Sequence, residues 1–272
     1  MKMQMPGGKK YMDVKEVVEH NKLHTICTSG NCPNIGECWA EGTATFMILG
    51  DVCTRSCKFC AVHTGKPLPP EKDEPKRLID SIRKMKIKHA VITSVDRDDL
   101  PDKGAGVWAE TIRQLREAFP ELTMETLIPD MDAIENLIAQ VIDAGPEVVS
   151  HNLETVERLT PMIRSRAKYK TSLKVINQIS HSTAISKSGI MLGLGETEAE
   201  VLQTMDDLLN VGCQVFTIGQ YLQPTLNHLE VKEYVHPDKF AEYKQIGLSK
   251  GFRHVESSPL VRSSYHAEKH ID

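Results

Sequence analysis

Six of the seven cysteines in this 272-residue chain fall between Cys27 and Cys60, in two triads, and that crowding limits the fold more than any other feature. Disulfide frameworks belong to small secreted chains with even cysteine counts. A dense cluster in a long chain argues instead for thiolate ligands in a reducing compartment. The first ten residues hold Pro6, Gly7 and Gly8 but no apolar leader, and no apolar run approaches bilayer length. These features predict a cytoplasmic protein with no membrane partner. A formal net charge of −4 supplies no basic field, so no nucleic-acid partner is expected. The chain is long enough to bury one large core on its own. Cys213, followed by the apolar Val215 and Phe216, reads as a core thiol.

Six short segments rich in β-branched residues read as strands: 43–49, 89–94, 122–128, 147–150, 188–192 and 214–218. Helical spacing of apolar residues marks 75–85, 107–119, 131–142 and 198–209. Alternation of strand and helix implies a parallel sheet. Polar residues follow every strand, among them Asp96 to Asp99 after the second, Asn152 and Glu154 after the fourth, and Gly193 to Glu196 after the fifth. In a parallel barrel such loops share the carboxyl-end face, where chemistry is placed.

Directly after the first strand comes Cys53-Thr54-Arg55-Ser56-Cys57-Lys58-Phe59-Cys60, a C-x3-C-x2-C run. Three thiolates on one tight loop can hold three irons of a 4Fe-4S cluster and leave the fourth open. An open iron can chelate the amino and carboxylate groups of S-adenosylmethionine, so that a reduced cluster can cleave it. Phe59 is placed to cover the adenine, or else is an ordinary core aromatic. A structural zinc site prefers four ligands in paired C-x2-C knuckles, which this spacing does not offer.

Cys27, Cys32 and Cys38 form a second set, C-x4-C-x5-C, on a stretch whose Gly30, Pro33 and Gly36 suit a loop around a cluster. Three cysteines again leave one iron short of a protein ligand. No eighth cysteine exists, so the missing ligand must be another group or solvent.

This N-terminal triad, with GTATFMILGDVCTRSCKFC, TSVDRDDLPD, SHNLETVERL, GIMLGLGET, TIGQYLQPT and SPLVRSSYHAEKH, closely resembles the lipoyl synthase family of the radical S-adenosylmethionine superfamily, from about Leu23 to the end. The resemblance implies an α/β fold, a partial (β/α)6 TIM-like barrel whose N-terminal and C-terminal extensions close over its mouth. It divides the chain into an auxiliary-cluster extension at 1–42, the barrel at 43–256 and a C-terminal segment at 257–272. It also implies two 4Fe-4S clusters, S-adenosylmethionine, and insertion of sulfur at the sixth and eighth carbons of an octanoyl group. The partners implied are an octanoylated lipoyl carrier protein or domain, an electron donor such as flavodoxin or ferredoxin, and an iron-sulfur cluster carrier.

By the same resemblance the fourth ligand of the auxiliary cluster is the second serine of R-S-S-Y, here Ser264, and Arg262 and Ser264 are the candidate catalytic residues. An alkoxide matches iron less well than a thiolate, which suits a cluster meant to be dismantled. Without the family likeness this segment reads as a frayed polar tail. Asn152 and Glu154 are placed to bind S-adenosylmethionine, or to form a helix cap with an acidic first turn. Gly193 and Gly195 resemble the family's cofactor turn, and they lack the third glycine of a dinucleotide fingerprint. Arg164 and Tyr221 are further candidates. Asp96, Arg97, Asp98 and Asp99 read as a site network or a solvated turn, and the histidines, His151 included, as surface or supporting groups.

Met131-Asp132-Ala133 departs from the family's aromatic and glycine loop, and the segment before Tyr11 is short, which bears on acyl-chain and carrier recognition. A biotin synthase-like enzyme would not account for the N-terminal triad or the R-S-S-Y ending. A cluster scaffold would need no S-adenosylmethionine pocket, and a zinc-stabilised interaction protein would hold no sulfide.

Overall fold

In the computed structural model, residues 5–265 and 267–271 are described, with backbone only at 268 and 269. Residues 1–4 of the expected N-terminal extension, and His266 within the last matched block, lie outside the described residues.

Seven parallel strands form the frame: β1 (Thr45–Ile48), β2 (His89–Ser94), β3 (Thr123–Leu127), β4 (Val148–Ser150), β5 (Ile185–Leu192), β6 (Val215–Gln220) and β7 (His254–Ser257). Each pairs in register with the next in chain order, from Thr45 opposite Val91 in β1 and β2 to His254 opposite Val215 in β7 and β6. Order without reversal is the wall of a barrel, where a doubly wound sheet would switch direction. Every residue of β1 and of β6 is buried, as expected for strands covered on both faces. A helix lies in each connection, the longest being Ala105–Ala118 and Pro237–Lys250. Trp108 and Ile112 pack the core of the first half, and Phe216 and Phe240 that of the second.

The six expected strand-helix units are present, and a seventh strand follows them. β7 contains one apolar residue, Val255, which hides it from a search for apolar runs. β5 begins at Ile185 because its amino-terminal half carries Ser186 and Lys187, polar residues that are nevertheless buried. The helix expected over 131–142 is broken: Met131, Asp132 and Ala133 take left-handed φ values of 43, 53 and 53°, and the helix starts at Glu135. Asp130 caps this turn by accepting from Asp132 N (3.1 Å).

Both ends of the chain meet beside β1. His24–Thr25 pairs antiparallel with its outer edge, covering main-chain groups that would otherwise stay open. Asn34 Nδ2 donates to the Leu260 carbonyl (2.7 Å) and Tyr265 hydroxyl to Glu37 (3.3 Å), so the N-terminal and C-terminal segments hold each other.

The turn entering the helix after β2 depends on Gly104. Its φ is 87°, and an added Cβ would lie 2.6 Å from Leu49 Cδ1 at the end of β1. Gly104→Ala is expected to cost about 2–4 kcal/mol, combining left-handed strain with overpacking, read as a lower midpoint in denaturant unfolding.

Candidate active site: two thiol triads on adjoining cavities

The loop carrying Cys53, Cys57 and Cys60 is closed by a two-residue parallel pair, Val52–Cys53 against His63–Thr64. Glu74 receives the amides of Leu49 (2.8 Å) and Gly50 (3.3 Å), setting the turn into the loop. Arg55, inside the cysteine motif, carries the main anchorage. Its guanidinium, only 4% exposed, forms a bidentate pair with Asp98 (2.7 and 2.9 Å), bonds Asp130 (2.7 Å) and lies 3.3 Å from Asp96. The loop is thereby fastened to the ends of β2 and β3. The hydrogen bond from Arg55 pulls the Asp98 carboxyl below the usual range; burial pushes Asp130 up, but Arg55 outweighs it and holds that carboxyl at about 2. Asp96 goes the other way, raised because its burial outweighs Arg55.

The acidic run after β2 is therefore a network and not a solvated turn. Arg97 is buried, paired bidentately with Asp99 (2.9 Å to each oxygen) and donating to the Leu49 carbonyl (3.3 Å).

A cavity of about 420 Å³ opens beneath the loop. Cys53, Cys57, Cys60 and Phe59 line it, and so do Cys27, Cys32, Arg262, Ser263 and Ser264. A second cavity of about 300 Å³ is lined by Cys27, Cys32, Cys38, Arg262, Ser264 and Tyr265. Cys27, Cys32, Arg262 and Ser264 thus form the wall shared by both. The Ser264 hydroxyl accepts from Thr45 Oγ1 (2.9 Å) at the start of β1. The second triad lies beside the edge of the barrel wall, and its inner thiols face the cavity of the first.

The donor sets fit iron-sulfur clusters. Burial pushes four of the thiols up, to about 11 for Cys27 and Cys53 and about 12 for Cys38 and Cys60, so a bound cation would be needed to hold them as thiolates. Among the described residues, no three cysteine, histidine or carboxylate side chains converge on one point that would suit a single ion.

The far wall of the cavity is polar. Among the described residues, Asn152 Oδ1 and Arg164 Nε are buried with no hydrogen-bond partner, two groups left to meet a ligand. Gly189 lies beneath Asn152: an added Cβ would sit 2.3 Å from Thr217 Oγ1 and 3.2 Å from Asn152 Oδ1. Glu154 lines the cavity, its carboxyl raised by burial against the pull of Arg164. Arg164 Nη1 donates to the Asn152 carbonyl (3.2 Å) and Ser172 Oγ (2.9 Å), and Tyr221 hydroxyl to the Leu229 carbonyl (2.8 Å).

Of the two readings of His151, surface or supporting group, the supporting one fits: it is 2% exposed, bonded to the Ile128 carbonyl and Ser172 Oγ (both 2.9 Å), and held neutral by burial, which lowers it to about 4. Gly193 and Gly195 are not among the lining residues of the cavity. Gly193 is required by packing, since a Cβ would fall 2.2 Å from Gln220 Nε2 and 2.3 Å from the Glu233 carbonyl. The residue that motif reading missed is Arg55, whose signal was a cation inside the cysteine run matched by acids after two later strands. Cys213 is buried, 3% exposed, with its thiol on the Val215 carbonyl.

Residues 47–208 match the family model of the radical SAM superfamily. Lipoyl synthase of Bacteroides fragilis is 60% identical over 271 residues, covering 100% of this chain and 94% of that protein. Lipoyl synthase of Treponema denticola is 59% identical, covering 100% and 93%. Among solved structures, methylornithine synthase superposes with a TM-score of 0.59 at 11% identity over 92% of this chain and 79% of that one. Streptococcus suis SuiB bound to S-adenosylmethionine gives 0.62 at 11% identity, over 84% and 55%. These two structures speak to the fold alone. With the barrel, the cysteine loop and the full-length identity taken together, the chain belongs to the lipoyl synthase family of the radical SAM superfamily.

Proposed function

We propose that this protein inserts two sulfur atoms, at the sixth and eighth carbons, into an octanoyl chain attached to a lipoyl carrier protein or domain, using two S-adenosylmethionine molecules and a sacrificial auxiliary 4Fe-4S cluster. The observation that carries the reading is the single cavity lined by five of the six clustered thiols together with Ser264. When bound, a cluster on Cys53, Cys57 and Cys60 supplies the electron that cleaves S-adenosylmethionine to an adenosyl radical, and a second on Cys27, Cys32, Cys38 and Ser264 supplies the sulfur.

The chain's own part is placement. Arg55 holds the cysteine loop at a fixed height over the strand ends, and Asn152, Glu154 and Arg164 offer an amide oxygen as acceptor, a carboxylate and a guanidinium for the polar end of S-adenosylmethionine. Phe59 stands beside them as an apolar cover for the adenine. Ile26, Met47, Leu127 and Met191 give the cavity apolar walls that suit an alkyl chain and exclude water. A radical on an unactivated carbon reacts with whatever is nearest, so the shared wall of Cys27, Cys32 and Ser264 is where the sulfur must be presented.

Arg262 is half-buried in this wall, its charge disfavoured by burial and favoured by Cys32. That placement fits a cation balancing the charge of a thiolate-held cluster. The strained turn Met131-Asp132-Ala133 borders the anchoring network, Asp132 pairing with Lys103 (2.8 Å) and Arg166 (2.9 Å), and is the feature we assign to substrate preference. The proposed partners also include a flavodoxin-type or ferredoxin-type electron donor and an iron-sulfur cluster carrier. No helix among the described residues is long and apolar enough to cross a membrane.

Cys32→Ala is expected to keep formation of 5'-deoxyadenosine within about twofold of wild type while lipoyl product falls below detection, in anaerobic turnover with an octanoyl-lysine peptide. Retained product would overturn the sulfur-donor assignment. Arg55→Gln leaves three carboxylates crowded without their cation and is expected to cost about 3–5 kcal/mol of stability, by denaturant unfolding. The same change should slow cleavage of S-adenosylmethionine about 100-fold as the cysteine loop loses its position.

A further inference from the structure

Fully buried near the amino-terminal end of the barrel is an ion pair that the proposed chemistry does not use. Lys187 Nζ, on β5, donates to both oxygens of Glu125 on β3 (2.7 and 2.8 Å), and Ser150 Oγ donates to the same carboxylate (3.1 Å). Lys187 and Glu125 have no exposed side-chain surface. A buried pair of this kind is tolerated only when further hydrogen bonds complete it. Here one comes from the opposite end of the chain: Lys187 Nζ lies 3.1 Å from His270 Nδ1. The ring is also a hydrogen-bond partner of the Glu125 carboxylate, so the imidazole meets both members of the pair, its donor or acceptor role set by the tautomer. His270 is itself fully buried, with its ring edge-on to His254 at the start of β7 (5.7 Å between centroids).

The path of the C-terminal segment gives this contact its meaning. The segment leaves the carboxyl end of β7, where Ser258 N and Gln220 N tie it to β6 through the Ile218 and Pro259 carbonyls (both 3.2 Å). It then lies so close to Gly219 that a Cβ there would be 2.2 Å from the Val261 carbonyl. Beyond that it passes the shared wall as Arg262-Ser263-Ser264-Tyr265 and ends inside the amino-terminal end, where Ala267 and His270 are buried. Arg262 and Ser264 are therefore strung between two fixed points. The first is the edge of β6; the second is His270.

We propose that His270 is a positioning residue, which docks on the buried Glu125–Lys187 pair and so holds Ser264 and Arg262 against the auxiliary thiols. The proposal rests on the auxiliary-cluster reading given above and extends it, since neither the cysteine pattern nor the R-S-S-Y motif implies a partner for the last histidine. Thr45 on Ser264 and Glu37 on Tyr265 hold the segment along the way by one hydrogen bond each, and the buried contact at His270 removes the freedom that those leave before the serine oxygen can act as a ligand.

The test compares anaerobically reconstituted wild type, His270→Ala and His270→Asn, the last keeping an oxygen where the ring has Nδ1. Iron and acid-labile sulfide per chain, 5'-deoxyadenosine formation and amide exchange over residues 259–265 are measured on each. His270→Ala is expected to lose about half its iron, to keep cleavage of S-adenosylmethionine, and to exchange amides of 259–265 about tenfold faster. His270→Asn is expected to restore both iron and protection. Wild-type iron and exchange in His270→Ala would overturn the proposal, as would loss of both clusters together or failure of His270→Asn to rescue. A wild-type protein that itself holds a single cluster would instead sink the auxiliary-cluster reading, separately from the role of His270.

Discussion

The structure depends on one cation. Arg55 sits within the cysteine loop yet is almost wholly buried, and three carboxylates from the ends of β2 and β3 close around it. A guanidinium in that setting is stable only with its partners in place, and the carboxylates would repel one another without it. The loop cannot drift from the barrel without breaking all of these bonds at once. What a flexible C-x3-C-x2-C segment gains is a fixed height and tilt over the cavity. Further ties, among them Thr54 on the Asp96 carbonyl, Ser56 N on Ser165, Lys58 N on the Ile163 carbonyl and His228 on the Cys60 carbonyl, add to the hold of Arg55.

From this follows the relation between the two triads. The first hangs from the carboxyl-end loops, and the second stands beside β1, brought there by the antiparallel strand His24–Thr25 and by Asn34 on Leu260. They share a wall because the same strand, β1, leads into the Cys53 loop at one end and meets Ser264 through Thr45 at the other. A barrel strand is a rigid spacer, so the spacing between the triads is built into the scaffold. Two radical attacks at carbons close together on one alkyl chain need such a fixed relation.

Much of this was legible from residues alone. Apolar, β-branched strands, the cysteine spacing and the convergence of polar loops on one face follow directly from periodicity and from the geometry of parallel sheets. What escaped was polar structure in buried places. β7 and the first half of β5 look like loops because their residues are polar, and Lys187 is buried only because Glu125 lies across the barrel. His151 reads as either a surface or a supporting group until the Ile128 carbonyl and Ser172 are seen on either side of its ring. The packing of Gly193 against Gln220 and Glu233 has no local sequence signal either. Ser264 carries no local signal at all, since its relation to Cys27 and Cys32 is made by the fold, and only the family resemblance pointed to it.

The central claim, two metal-holding triads on adjoining cavities with a common wall, is tested most directly by electron paramagnetic resonance of the anaerobically reconstituted protein with both clusters reduced. The account predicts two paramagnetic centres whose signals are broadened by mutual dipolar coupling, with the coupling lost in Cys32→Ala. Two sharp, independent signals, or a single centre in the fully loaded protein, would contradict it.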